Sequence, residues 1–72
     1  MKAIFLDLPA LAAAIAISES TIQRLVREGS IPKPRQLSGR RVAWLVREVE
    51  EWAENRPVSD LLPPANTGRR KN

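Results

Sequence analysis

The sequence predicts a mainly α-helical domain carrying one small β-hairpin. Three observations lead there. Apolar residues recur at helical spacing in two adjacent segments, 8–15 and 19–28, separated by only three residues. Pro32 and Pro34 then forbid helix, and two short extended runs flank Ser38-Gly39-Arg40. From Leu45 the helical period returns and runs until Pro57.

The elements follow in order. Ala3-Ile4-Phe5-Leu6 is a short apolar run that forms a strand or packs as an arm. Asp7 stands at an N-cap position, with Pro9 in the first helical turn, where its missing N–H does little harm. Leu8, Leu11, Ala12 and Ile15 recur at i, i+3, i+4 and i+7, the stripe of an amphipathic helix. Ala16-Ile17-Ser18 is a brief turn, and Ser18 caps a second helix, Glu19 to Glu28, with Glu19 favourably placed for the helix dipole. Ile22, Leu25 and Val26 form its apolar stripe and Gly29 its stop. Arg35-Gln36-Leu37 and Arg41-Val42-Ala43-Trp44 are the hairpin strands, with Gly39 placed for a positive φ. Leu45, Val49, Trp52 and Ala53 share the inward face of a last helix, while Glu48, Glu50, Glu51 and Glu54 point outward.

Composition narrows the function. The 72 residues suffice for one small domain, expected over 1–56, followed by a disordered basic tail over 57–72 containing Pro63-Pro64 and Arg69-Arg70-Lys71. The chain holds no Cys and no His, so disulfides, thiolate or imidazole metal sites and His-based nucleophile pairs are excluded. No cofactor, metal or catalytic residue is expected, and an enzyme is improbable. The apolar run Leu8 to Ile17 is about half of what a bilayer span requires, and Asp7 and Pro9 break the resemblance of residues 1–17 to a signal peptide. The expectation is a cytoplasmic, nucleoid-associated protein with no membrane partner. Net charge is +4, unevenly spread: residues 18–47 carry seven Lys and Arg against two Glu, whereas residues 48–60 carry five acidic groups against Arg56. A basic block in mid-chain suits an anionic partner.

The two helices and their tight turn suggest a helix-turn-helix. Counted from Leu8, the fifth residue is Ala12, small enough for close crossing; the ninth is Ala16 in the turn; the fifteenth and eighteenth are Ile22 and Leu25. The turn position favours Gly because it needs left-handed backbone, and Ala there costs roughly 1 kcal/mol. With Ile22, Leu25 and Val26 inward, Glu19, Ser20, Gln23, Arg24 and Arg27 face out. Gln pairs bidentately with adenine and Arg with guanine, while Ser18, Ser20 and Thr21 at the helix N-terminus suit phosphate. Alone, such a face is an ordinary polar helix surface. The hairpin changes the balance: Arg40 and Arg41 at its tip, with Lys33 and Arg35 at its entry, make it a basic wing that reaches phosphates or a minor groove. The predicted fold is therefore a winged helix-turn-helix, and double-stranded DNA is the expected partner. Trp44 and Trp52 are expected to close the core rather than stack on bases, and the glutamates of the last helix to form a solvated face.

The stretches Phe5-Leu6-Asp7-Leu8-Pro9, Ser18-Glu19-Ser20-Thr21-Ile22, Val26-Arg27-Glu28-Gly29, Ile31-Pro32-Lys33-Pro34, Leu37-Ser38-Gly39-Arg40-Arg41-Val42-Ala43-Trp44 and Glu48-Val49-Glu50-Glu51-Trp52 together resemble the AlpA family of phage and prophage regulators. The resemblance runs from about residue 4 to residue 56 without gaps. Ala16 replaces the family's usual Gly, and Leu45-Val46-Arg47 lacks its common polar cap. The resemblance implies a DNA-binding winged head, related in shape to excisionases and MerR-type heads. It also implies a role in activating integrase expression or assisting prophage excision. Alternatives are an architectural excisionase that bends DNA and recruits integrase, and an antitoxin-like adaptor using its basic face on an acidic protein. Self-association on paired or repeated sites is a further expectation, because one small module offers only ~600–1,000 Å² of interface.

Overall fold

A computed structural model describes residues 2–64. The chain runs β1 (Phe5–Leu6), α1 (Leu8–Ile15), α2 (Glu19–Glu28), β2 (Arg35–Ser38), β3 (Arg41–Leu45) and α3 (Val46–Glu54). Asp7 caps α1, its carboxylate accepting from the Ala10 amide at 3.0 Å, and Pro9 sits in the first turn. The helix ends at Ala16, whose backbone is left-handed at φ 61° and ψ 39° while its N–H donates to the Ala12 carbonyl. This is the conformation expected for Gly, here occupied by Ala. Ser18 caps α2 by accepting from the Thr21 amide at 3.3 Å. Gly29 ends the helix at φ 78°, its N–H donating to the Val26 carbonyl at 3.1 Å.

The short apolar run near the start is a strand. β1 pairs antiparallel with β3, Phe5 opposite Leu45 and Leu6 opposite Trp44. The wing is therefore part of a three-stranded sheet in the order β1-β3-β2 rather than an isolated hairpin. In the β2–β3 pair the register shifts between Gln36 and Ser38, leaving Leu37 in a bulge, and Gly39 turns the chain at φ 51°. The Gln36 side-chain amide donates to the Gly39 carbonyl at 2.8 Å, closing the turn.

Two assignments at the last helix are corrected. Leu45 belongs to β3 because Phe5 pairs with it, so α3 starts at Val46. No side chain caps that start; the Val46 amide instead donates to the Ile4 carbonyl at 2.8 Å. Ala53, expected inward, is exposed.

The core is small. Leu11 and Ile22 are fully buried, joined by Ile31, Trp44 and Val49, with Leu6, Leu8, Ala12, Ile15, Ile17, Leu25, Val26 and Trp52 packed round them. Both indoles close it, as expected, and both tie down the loop before the wing. Trp44 Nε1 donates to the Pro32 carbonyl at 2.7 Å and Trp52 Nε1 to the Ser30 carbonyl at 2.9 Å. Ile31, between them, is buried. Residues 57–64 carry no helix or strand and are exposed throughout; the rest of the tail, 65–72, lies outside the described residues.

Candidate nucleic-acid interface

With Ile22 buried and Leu25 and Val26 half-buried, α2 turns its polar face outward. Ser18, Ser20, Gln23, Arg24, Arg27, Lys33, Arg35, Arg40 and Arg41 are exposed, while Thr21 is half-buried. The face is not detached from the wing. Gln23 and Val26 of α2, Pro34, Val42 and Trp44 line one cleft of about 240 Å³, so the mid-helix glutamine stands where helix and wing meet.

Several of these groups already have partners. The Ser18 hydroxyl donates to Thr21 Oγ1 at 2.8 Å while capping α2, so both hydroxyls are engaged at the helix start. Arg24 bonds Glu28 one turn on, Nη1 to Oε2 at 3.1 Å, with about half of each side chain exposed. Such an exposed i,i+4 pair contributes only ~0.3–0.5 kcal/mol, so leaving Glu28 would cost Arg24 little.

Arg35 is held differently. Its guanidinium forms a two-pronged bond with Glu48 of α3, Nε to Oε1 at 3.3 Å and Nη2 to Oε2. Glu48 is the more buried partner, its side chain 27% exposed, so it is not the outward solvated residue expected from helical spacing. Hydrogen bonding to Arg35 holds the Glu48 carboxyl below the usual carboxylate range, outweighing burial, which opposes it, and the nearby Arg47 charge lowers it further. The same bond raises the Arg35 guanidinium. The pair bolts the root of the wing to α3. Sequence reading missed Glu48 because its partner lies 13 residues away; Arg24–Glu28, by contrast, is legible from spacing.

A capped helix whose polar face stands beside a basic, bulged hairpin defines a small winged helix-turn-helix domain, the class of fold found in DNA-binding regulators. The family model described as "Prophage CP4-57 regulatory protein (AlpA)" matches residues 5–57, nearly all of the folded part. The chain belongs to the AlpA family of prophage regulatory proteins. It is similar to "Uncharacterized protein ORF88" of Enterobacteria phage P4, with 40% identity over 52 residues, covering 72% of this chain and 59% of the phage protein. The chain thus spans a little over half of that relative's length. No solved structure matches it. Among the described residues, no helix is long and apolar enough to cross a membrane.

Proposed function

We propose that this regulator binds specific double-stranded DNA sites of a prophage or mobile element and acts on integrase expression or excision. The observation that carries this reading is the pairing of two exposed elements: the α2 face bearing Gln23, Arg24 and Arg27, and the wing tip bearing Arg40 and Arg41. In this reading α2 enters the major groove. Gln23 and Arg24 read base edges, Arg27 and Ser20 hold the groove walls, and Ser18 and Thr21 meet a phosphate at the helix start. Lys33 and Arg35 approach the backbone at the root of the wing, and Arg40 and Arg41 grip phosphates or a narrow minor groove. The site of action is the cytoplasm, on the nucleoid, with integrase as a functional partner.

Footprinting on DNA flanking the protein's own gene tests the reading. A protected site whose protection survives excess random duplex supports it. Loss of protection under random competitor refutes site specificity, and no binding to either duplex points instead to an adaptor for acidic proteins. An excision assay with integrase supplied from a fixed promoter then separates the two roles. Excision that still depends on this protein marks an architectural excisionase, whereas independence marks a promoter regulator.

A further inference from the structure

On the side of α2 away from the wing, the ends of α1 and α2 and the face of α3 leave an apolar groove of about 550 Å³, lined by Ala14, Ile15, Ile17, Leu25, Trp52 and Arg56 among others. Its one cation, Arg56, lies over the Trp52 ring at 5.2 Å. Immediately after Arg56 the chain leaves the domain as an arm carrying Val58, Leu61 and Leu62, which are 96%, 85% and 90% exposed. These are the most exposed large apolar side chains among the described residues. The arm also carries Asp60, its one charge between Pro57 and Pro64.

An unfilled apolar groove with a cationic rim and an unburied apolar arm with one carboxylate are complementary in both respects. We propose that they meet between two copies: each arm seats Leu61 and Leu62 in the other's groove, against Ile15, Leu25 and Trp52, with Asp60 facing Arg56 of the second copy. The arm's own groove is a poor target. Val58, Leu61 and Leu62 stay exposed rather than folding back onto it, and Pro57 favours extended backbone at Arg56. A two-fold axis beside that rim carries each arm over the other groove, because arm and groove begin at the same residue. One contact of two leucine side chains is too small for a stable complex. Reciprocal exchange doubles it, towards the ~1,200–2,000 Å² of specific interfaces. The contact leaves the α2 face and the wing free, and it stands apart from the DNA reading because it is measured without DNA.

The test is sedimentation velocity of the whole chain without DNA, from ~10 μM to ~1 mM. Two variants accompany it, Leu61→Asp/Leu62→Asp in the arm and Ala14→Lys in the groove. All these positions are exposed, and Lys at the C-terminal end of α1 suits the dipole, so the fold persists and circular dichroism checks it. The expected result is a concentration-dependent dimer in the parent chain, weakened at least ~10-fold by either variant, the loss typical of a truncated interface anchor. In an equal mixture of labelled and unlabelled chains, isotope-filtered contacts should join Leu61 and Leu62 methyls of one copy to the Trp52 indole of the other. A parent chain that stays monomeric overturns the proposal. So does a dimer indifferent to both variants, or methyl–indole contacts found only within one chain, which would make the arm its own groove's occupant.

Discussion

Ala16 is the residue at which local chemistry and global fold disagree. Its left-handed backbone is required to turn α1 into α2, yet its Cβ makes that conformation costly. Ala16→Gly should stabilise the domain by about 1 kcal/mol, less a few tenths for the added freedom of the unfolded chain. For a domain of this size that raises Tm by roughly 3–6 °C, measurable by thermal melting, with DNA affinity unchanged. Trp44 is the opposite case, a residue whose local and tertiary roles coincide. It is buried at 5% exposure and its indole N–H holds the Pro32 carbonyl. Trp44→Ala should therefore remove ~3–5 kcal/mol, most of what so small a core supplies, and abolish the cooperative melt. A variant that melts like the parent but binds DNA poorly would make Trp44 a contact residue instead.

At the scale of elements, the proposed reading gives α2 and the wing different tasks, so they should fail differently. Replacing Gln23 or Arg24 with Ala should cost ~1–3 kcal/mol on the cognate site and relax preference at particular base pairs. Replacing Arg40 or Arg41 should weaken cognate and random duplexes by similar factors and flatten the salt slope by about one unit per lost phosphate contact. Binding series on cognate, singly altered and random duplexes at two salt concentrations distinguish these outcomes. The wing's root depends on Arg35–Glu48, which gives it a pH dependence. Because the Glu48 carboxyl is lowered in the folded protein, its contribution is fully present above the unfolded value of ~4.3 and is lost as pH falls through the folded value. Amide-exchange protection of β2 should thus drop on acidification below the unfolded carboxylate range, and Glu48→Gln should remove that dependence. Unchanged acid behaviour in Glu48→Gln would show that the wing is positioned by the sheet alone.

At the scale of the whole molecule, charge divides along the chain. The basic stretch, residues 18–47, spans α2 and the wing and ends at Arg47 in the first turn of α3, whereas Glu48, Glu50, Glu51 and Glu54 make the rest of α3 acidic. If helix and wing neutralise ~4–6 phosphates, log K should fall against log salt with a slope of roughly −4 to −5. A slope near zero on the cognate duplex would remove electrostatics, and with it this interface, from the account. The acidic helix does more than balance charge. Glu48 draws Arg35 toward α3, so one of the candidate wing cations is shared between bracing and DNA.

The sequence by itself determined the helices, the side-chain caps of α1 and α2 and the basic character of one face. Those features depend on neighbours within a turn or two: Asp7 and Ser18 cap through amides three residues on, Gly29 stops α2 on its own backbone, and apolar spacing selects the inward side. The hairpin, the burial of Trp44 and the packing of half-buried Trp52 on the core were legible for the same local reason, from Pro32, Pro34, Gly39 and the period change. Only the tertiary structure decided what long-range pairing controls. It made Phe5–Leu6 a third strand, handed Leu45 from α3 to β3, and supplied the missing cap of α3 from the Ile4 carbonyl. It also joined Arg35 to Glu48 and brought Gln23 beside Val42, because contacts across the fold depend on where whole elements come to rest. Local hydrogen bonds and side-chain periods are written within a few residues; the partners of a strand edge or a surface carboxylate are chosen by packing of the entire core.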